Sequence, residues 1–350
     1  MYSSKLKFGF RVDANTTVGT GHLMELISLV GALKKKINFE PVFIISKDGF
    51  SEQRLRKSEI NNIYNVPEDA DEKSEIKSIL EIMNREECNI LVFNLLNKSK
   101  DYYEELHQSI EKTCIILDDG ELVNKPATLA INFSIIQNPD YYNGLGPLCL
   151  IGPEYAPLDE SILSGKPIEI RNNVKRIFIN QGGGDPYGLT FKIISALNNL
   201  HLNQDMCVLV GGAFRDGYLE KMECLKRKKF NNCKFYSNIS HDRVFGLMES
   251  ADLAITAAGN MLYELAYFGI PSVVICHHEK HNDVAKAFEK HEAVINLGIG
   301  DRLNEDDIAG TVINIINDYD RRKYLSGNMK ELVDGKGVQR VADKLLEVVF

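Results

Sequence analysis

The chain has 350 residues, and its composition of 44% hydrophobic and 26% charged residues is ordinary for a globular protein, so the length predicts two α/β domains. Its net charge of −8 argues against nucleic acid as a partner, because a basic surface would be expected there. No apolar run approaches the roughly 18 residues of a membrane span, and the first residues lack the apolar region of a signal peptide, so we expect no integral membrane segment.

Short apolar runs alternate with amphipathic segments through the first half of the chain. The predicted strands are Leu6–Val12, Pro41–Ile45, Ile90–Asn94, Cys114–Leu117, Leu129–Asn132 and Leu148–Ile151. The predicted helices are Leu23–Lys36, Lys73–Arg85 and Asp101–Lys112. This order predicts a doubly wound parallel sheet, which binds ligands at the carboxyl ends of its strands.

The alternation restarts after a stretch rich in proline and glycine. The second set of predicted strands is Arg176–Asn180, Met206–Val210, Lys234–Tyr236, Leu253–Thr256, Ser272–Ile275 and Ala293–Leu297. The helices are predicted near Leu189–Leu200, Tyr218–Lys229, His241–Glu249, Asn260–Phe268, Asn282–Lys290 and Glu305–Asn317, with two more within Asp320–Phe350. We therefore expect an α/β protein with two Rossmann-like doubly wound domains that face one another across a cleft. The predicted domains are residues 1–152 and 174–330, joined by a linker at 153–173, with a helix in 331–350 that packs back on the first domain.

The cysteine pattern indicates the cellular compartment in which the protein is expected, and it shows no cysteine pair typical of a metal site. The seven cysteines include no C-x-x-C pair, and several lie inside apolar runs, which is typical of reduced core residues. We therefore expect a cytoplasmic protein with no metal and no cofactor. Oligomeric state is left open.

The segment Gly19-Thr20-Gly21-His22 lies between the first predicted strand and the first predicted helix. Glycines let backbone N–H groups approach a ligand closely, and the start of a helix favours an anion. The same helix dipole disfavours an imidazolium, so His22 is expected to be neutral near pH 7, the form that a general base needs. The alternative is a common turn with a surface histidine at the start of a helix.

A run of glycines follows the first strand of the second half and precedes a helix. It can offer backbone donors to a phosphate or a sugar, although a tight turn without a ligand is the alternative. The residues concerned are Gly182, Gly183 and Gly184, followed by Asp185 and Pro186.

A second loop of small residues, Ala258, Gly259 and Asn260, leads from a strand into a helix. Small residues allow a diphosphate to lie on the helix N-terminus, and Glu264, one turn later, could accept hydrogen bonds from ribose hydroxyls. The alternative is that Asn260 caps the helix and Glu264 lies on a solvated face.

Two further polar groups stand at predicted strand ends. The segment His277 to Asn282 is predicted to be a loop in which His281 and Asn282 contact a polar ligand, because adjacent histidines on a strand point to opposite faces and suit a metal poorly. Asp118 and Asp119 could orient a base or a sugar, but Asp-Asp-Gly is also good turn chemistry.

These motifs together resemble the PseG/SpsG family over residues 8–300. The resemblance is carried by Phe10-Arg11-Val12-Asp13-Ala14-Asn15, Gly19-Thr20-Gly21-His22, Leu117-Asp118-Asp119, Ile151-Gly152-Pro153-Glu154-Tyr155-Ala156-Pro157-Leu158, Gln181-Gly182-Gly183-Gly184-Asp185-Pro186, and Ala257-Ala258-Gly259-Asn260 with Tyr263-Glu264 and Gly269-Ile270-Pro271. The family is similar in fold to MurG-type GT-B glycosyltransferases. Its PseG members hydrolyse UDP-2,4-diacetamido-2,4,6-trideoxy-β-L-altropyranose in pseudaminic acid biosynthesis and release UDP.

The resemblance implies roles for individual residues. His22 matches the family's essential histidine, the base for the attacking water, and we group Asp13 with it as catalytic. Gly19 and Gly21 match the loop that precedes this histidine. The Ala258 to Asn260 loop and Glu264 match contacts to the UDP phosphates and ribose, and Gly182 to Gly184 match the glycine loop. Backbone groups near Ile239 are predicted to bind the base.

The resemblance leaves three functions open. The first is metal-independent hydrolysis of a UDP-sugar; the second is glycosyl transfer to a hydroxyl acceptor; and the third is sugar-nucleotide binding without catalysis. The first half of the chain shows no clear basic and apolar acceptor patch, which favours hydrolysis.

The chain departs from the family at three places. Where the family usually has an arginine three residues after the histidine, this chain has Glu25, so either the substrate differs or Glu25 turns away from it. Asn94-Leu95-Leu96 stands where hydrolase members have D-x-Y, and this pattern is closer to the SpsG branch. The loop at His277 to Asn282 replaces the Gln-x-x-Asn of MurG-like proteins.

Overall fold

The computed structural model describes residues 6–13, 21–47, 49–67, 70–95, 98–117, 126–138, 148–200, 202–211, 214, 217–218 and 232–350. The chain divides into two compact units. Unit 1 combines Met1–Glu160 with Gly335–Phe350, and unit 2 is Ser161–Asp334.

Unit 1 is built on a seven-stranded parallel sheet in the order β3-β2-β1-β4-β5-β6-β7. Its strands are β1 (Leu6–Val12), β2 (Phe39–Ser46), β3 (Ile63–Val66), β4 (Ile90–Asn94), β5 (Lys112–Leu117), β6 (Leu129–Asn132) and β7 (Leu148–Ile151). Its first four helices are α1 (Gly21–Lys34), α2 (Gly49–Lys57), α3 (Glu72–Arg85) and α4 (Lys100–Ser109). The strand order reverses between β1 and β4, and the crevice at their carboxyl ends is where such sheets bind ligands.

Side chains from both faces of β1 are buried, as a central parallel strand requires. Phe8, Phe10 and Val12 are fully buried on one face, and Arg11 on the other face is 1% exposed; the Phe10 ring stacks on Phe43 of β2 at 5.1 Å between centroids. The functional residues that follow β1 therefore start from a rigid, densely packed strand.

Unit 2 is built on a six-stranded parallel sheet in the order β10-β9-β8-β11-β12-β13. Its strands are β8 (Arg176–Asn180), β9 (Asp205–Val210), β10 (Cys233–Ser237), β11 (Leu253–Thr256), β12 (Ser272–Cys276) and β13 (Ile295–Ile299). The helices that follow α4 in the chain are α5 (Glu160–Leu163), α6 (Leu189–Asn199), α7 (His241–Glu249), α8 (Asn260–Phe268), α9 (Glu279–Lys290), α10 (Glu305–Asn317) and α11 (Tyr319–Leu332). The order reverses here between β8 and β11, which places a second crevice at the ends of these two strands.

The last described helix, α12 (Gly337–Val349), belongs to unit 1. It packs against α1 and against the 3-10 turn Pro153–Tyr155 through buried residues that include Val341 and Leu345. Its first residue, Gly337, lies so close to the backbone that a Cβ would overlap the carbonyl oxygen of Ala156. The two ends of the described chain thus build one unit.

The expected fold class, two doubly wound parallel sheets with helices, is confirmed. Several boundaries and elements differ from the prediction. The sequence missed α2 and the short edge strand β3; α4 ends at Ser109 because Lys112 already belongs to β5; and β13 begins two residues later than expected. Most of the predicted helix Tyr218–Lys229 lies outside the described residues. Within the described parts of the chain, no helix has the length and apolar character needed to span a membrane.

Candidate functional site

In unit 1, the candidate residues gather where β1 and β4 end. Asp13 directly follows β1, Gly21 and His22 are the first two residues of α1, and Asn94 is the last residue of β4. Gly19 lies outside the described residues, as do Leu96, Asp118 and Asp119, so their predicted roles are not addressed by the structure. The parallel strands bring residues 72 positions apart to one edge of the sheet, with Asn94 Nδ2 3.5 Å from the His22 carbonyl oxygen.

His22 is buried, with 7% of its surface exposed, so the alternative of a surface histidine is wrong. Glu25 follows it by three residues on α1 and is 5% exposed. The carboxylate oxygen Oε2 of Glu25 lies 4.0 Å from Nδ1 of His22 and accepts a 2.7 Å hydrogen bond from Nδ2 of Asn94. The Glu25 carboxylate is thus held inside unit 1, beside His22 and Asn94.

Asp13 belongs to a network of charged side chains whose buried centre is Arg11 of β1. The guanidinium of Arg11, 1% exposed, donates to Asp13 Oδ1 at 2.5 Å and to Glu75 Oε1 at 2.9 Å. Glu75 also accepts from Lys98 at 2.5 Å and from the hydroxyl of Tyr102 at 2.7 Å. Hydrogen bonds from several donors satisfy each buried carboxylate, which is the condition under which buried ion pairs are tolerated.

The network sets the protonation of its carboxylates. Burial alone would raise the pKa of Asp13, but the Arg11 charge and hydrogen bonds from Arg11 and Ser46 hold it below the ordinary 3.8. Burial alone would likewise raise the pKa of Glu75, but the Arg11 charge and the hydrogen bonds from Lys98 and Tyr102 outweigh it and hold this pKa below the ordinary 4.5. Asp13 is therefore an ionised hydrogen-bond acceptor at neutral pH and a weaker general base than a neutral imidazole.

In unit 2, several backbone N–H groups at and after the glycine loop that follows β8 already donate to side chains of the protein. Gly182 has φ of +83° and its N–H donates to Oδ1 of Asn180 at 2.8 Å. Asp185 accepts from the N–H groups of Leu189 and Thr190, both at 2.8 Å, and so closes the N-terminus of α6. The expectation that this loop offers free backbone donors is therefore wrong for Gly182 and for the first residues of α6, whose N–H groups already have acceptors. Of the other two glycines, Gly183 is exposed and Gly184 is half-buried.

The N-terminus of α8 is different, because no side chain caps it. Its N-cap is Gly259, and the alternative in which Asn260 caps the helix is wrong, since Asn260 is the first helical residue. A Cβ at Gly259 would meet no atom within 4 Å, so open space lies in front of the helix. The two residues before it, Ala257 and Ala258, are buried. The positive end of a helix dipole without a capping side chain suits a phosphate.

Glu264 is half-buried on α8, one turn from its start. Ile239 is half-buried two residues after β10, just before the N-cap Ser240 of α7. Both are at the carboxyl side of the second sheet, where α/β sheets bind ligands.

The histidine segment is not the predicted loop, because α9 begins at Glu279 with His278 as its N-cap. His281 and Asn282 therefore lie in the first turns of this helix. Burial, with smaller effects from His278 and His277, lowers the pKa of His281 to about 4, so the ring is neutral at pH 7. Asn282 is 7% exposed and accepts a 3.2 Å hydrogen bond from Asn296 of β13, so its amide is oriented from inside the fold.

Sequence reasoning did not assign roles to several polar residues at these strand ends. His277 is 8% exposed, lies 3.0 Å through Nε2 from the carbonyl oxygen of Gln181, and stacks against the ring of Tyr187. Tyr187 is 58% exposed, and so presents an aromatic face. In unit 1 the sequence names Asn94, a polar residue that ends an apolar strand, only as a departure from the family's D-x-Y, and it gives no role to Glu75 on α3. Among the described residues, no three His, Cys, Asp or Glu side chains are grouped so that they could hold a metal ion.

Comparisons with known proteins support the resemblance that the motifs indicate. No family model matches the chain. It is 23% identical to the spore coat polysaccharide biosynthesis protein SpsG of Bacillus subtilis, over 95% of this chain and 96% of that protein. It is 26% identical over 51% of its length to the Helicobacter pylori pseudaminic acid cytidylyltransferase and UDP-2,4-diacetamido-2,4,6-trideoxy-beta-L-altropyranose hydrolase, of which it spans 31%.

Among solved structures, the chain is similar to MurG of Acinetobacter baumannii, with a TM-score of 0.71 at 13% identity. The superposition covers 97% of this chain and 99% of that one. At this level of identity the likeness concerns the fold, which is GT-B.

Proposed function

From the premise that this chain is a PseG/SpsG-like protein of the GT-B fold, we propose that it hydrolyses a UDP-sugar of the 2,4-diacetamido-trideoxyhexose type and releases UDP. Such a reaction belongs to nonulosonic acid or surface polysaccharide biosynthesis. The proposal divides the work between the units: unit 2 binds the nucleotide, and unit 1 supplies the base.

The observation that carries the proposal is the uncapped N-terminus of α8. Both helix starts beside this switch point have a glycine N-cap, Gly188 for α6 and Gly259 for α8, with no atom near the Cβ position. At α6, Asp185 occupies two backbone donors, whereas no side-chain hydrogen bond caps α8. A diphosphate is the ligand that such a helix end accepts best, because the backbone N–H groups and the dipole both act on its charge. Glu264, one turn along, is assigned to the ribose hydroxyls.

In the proposed reaction, water attacks the anomeric carbon of the sugar while His22 takes its proton. The bond between the anomeric carbon and the diphosphate oxygen breaks, and UDP leaves with the electron pair. UDP is a weakly basic leaving group, so a neutral histidine base and stabilised phosphates supply the required chemistry. Asp13, ionised and fixed by Arg11, is assigned to a hydrogen bond with a sugar hydroxyl or the attacking water.

Glycosyl transfer is the second candidate, because the fold is shared with MurG over almost the whole chain. It would use the same nucleotide site and replace water with an acceptor hydroxyl. The name of the Helicobacter pylori relative, which includes a hydrolase, supports water as the acceptor.

The test is UDP release from UDP-2,4-diacetamido sugars without any acceptor. We expect wild-type protein to release UDP and His22→Ala to lose about 10²- to 10⁴-fold in kcat, the usual contribution of a general base. His107→Ala is the matched control, since His107 is also in unit 1 but contacts Thr113 near the start of β5, at the opposite end of the strand from the carboxyl ends where the candidate site lies.

The outcomes separate the candidate functions. Release only after a hydroxyl acceptor is added supports transfer, and UDP binding without release supports a binding protein. In ¹⁸O-labelled water, attack at the anomeric carbon places the label in the sugar; label in UDP would exclude the proposed bond cleavage.

A further inference from the structure

The buried acid of α1 lies beside the histidine assigned as base. His22 and Glu25 are three residues apart on one helix, a spacing that places both side chains on the same face. Both are less than a tenth exposed, and Glu25 Oε2 is 4.0 Å from His22 Nδ1. A carboxylate in a dry environment interacts with an imidazole more strongly than it would in water.

Asn94 fixes the position of that carboxylate. Its amide nitrogen donates to Oε2 of Glu25 at 2.7 Å, and this is the same oxygen that faces His22. Asn94 is fully buried at the end of the central strand β4 and cannot move without disturbing the sheet. Helix and strand thus hold the carboxylate on the Nδ1 side of the ring.

We propose that Glu25, anchored by Asn94, is a positioning residue that holds His22 with the proton on Nδ1. This inference rests on the proposed function of His22 as base. An imidazole with Nδ1–H directed at a carboxylate keeps its lone pair on Nε2, which can accept a proton from water, and the carboxylate stabilises the imidazolium that results. At 4.0 Å the Glu25 carboxylate acts on the ring through its charge, and we expect the separation to shorten to hydrogen-bond distance when substrate binds.

The direct test is the tautomer of His22 in the full-length protein without substrate. ¹⁵N-histidine NMR distinguishes a protonated from an unprotonated ring nitrogen, and His22→Ala assigns the signal. We expect the Nδ1–H form in wild type and a shift toward the Nε2–H form in Glu25→Gln. Glutamine keeps the shape and an amide oxygen that can accept from Asn94, while it removes the charge and replaces the second carboxylate oxygen with an NH2 donor.

Matched variants separate positioning from general damage to the helix. Ser28→Ala changes a buried residue one turn further along α1, whose hydroxyl donates to the Met24 carbonyl, and is expected to leave the tautomer unchanged. Glu25→Asp keeps the charge with a shorter reach and should give a tautomer population between those of wild type and Glu25→Gln. It also carries the test if the glutamine variant does not fold.

Kinetics give the second readout. Glu25→Gln should lower kcat about 10- to 100-fold, as loss of an orienting partner does, with little change in KM. The inference is overturned if the Nδ1–H form persists in both Glu25 variants, or if Glu25→Gln turns over as wild type does. Absence of UDP release by wild-type protein would instead refute the hydrolase, and the NMR result would still decide the role of Glu25.

Discussion

Replacing Glu75 with glutamine removes the carboxylate at the centre of the buried network of unit 1. Glu75 accepts hydrogen bonds from Arg11, Lys98 and Tyr102, and it is 4% exposed. Removing one partner of a buried pair typically costs about 3–5 kcal/mol. Arg11 keeps its contact with Asp13, and Lys98, with 17% of its side chain exposed, can turn to solvent, so we expect the lower value, about 3 kcal/mol.

Amide hydrogen exchange followed by mass spectrometry suits this prediction, because the chain has no tryptophan and two units that need not unfold together. A loss of about 3 kcal/mol corresponds to roughly 100-fold faster exchange in the peptides of β1 and β4. Peptides of unit 2 serve as the internal reference. Glu72→Gln is the control, since Glu72 lies one turn earlier on α3 and makes exposed hydrogen bonds to Ser99.

The effect should also depend on pH. The folded state lowers the pKa of Glu75, so its stabilising contribution is fully present above the ordinary pKa of 4.5 and is lost as pH falls through the lower folded-state value. The difference between wild type and Glu75→Gln should therefore shrink in acid. An equal change in exchange for both units, or a change as small as that of Glu72→Gln, would refute the assigned role of the network.

Three further substitutions test other parts of unit 2. Gly211→Ala places a Cβ against the carbonyl of Gly183, and thermal unfolding should show a loss of about 1–3 kcal/mol from overpacking; an unchanged Tm would contradict the contact. Asp185→Ala uncaps α6 and should cost about 1 kcal/mol in urea unfolding while leaving UDP affinity intact; tighter UDP binding would instead place the phosphate at the freed α6 donors. His281, whose pKa falls from 6.5 to about 4, binds protons more readily when unfolded, so stability drops as pH falls from 6.5 to 4. His281→Gln should reduce that drop in Tm between pH 7 and pH 4.5, and an identical drop would show that the destabilising protonation is elsewhere.

Much of the fold could be predicted because buried parallel strands are continuous apolar runs. The strands β1, β4, β6, β7, β8 and β11 have the predicted bounds, and all of them except β7 lie inside a sheet. The missed strand β3 lies at the edge of its sheet and is only half-buried over Ile63 and Tyr64, so its pattern is weak. Glu292, with φ of +52°, makes the tight turn before β13, a backbone choice that the apolar run from Ala293 does not reveal.

The candidate site could be predicted less completely, because its geometry depends on contacts between distant segments. The sequence placed His22 at the start of a helix, but nothing in it showed that Asn94, 69 residues after Glu25, holds that carboxylate inward. The difference between the two helix starts likewise depends on a side-chain orientation: Asp185 folds back onto α6, while Gly259 has no side chain with which to do the same. Patterns of residue types identify where strands end. Only the packing of the folded chain determines which backbone N–H donors at those ends remain available to a ligand.

The contribution of α12 to unit 1 has a consequence for the order in which the protein matures. Residues 161–334, the whole of unit 2, are translated before the helix that covers α1 and the Pro153–Tyr155 turn leaves the ribosome. Unit 1 begins synthesis first, yet its apolar surface on α1 stays uncovered until Val341 and Leu345 arrive. Unit 2 is thus able to fold during translation, whereas unit 1, which carries His22, is completed last.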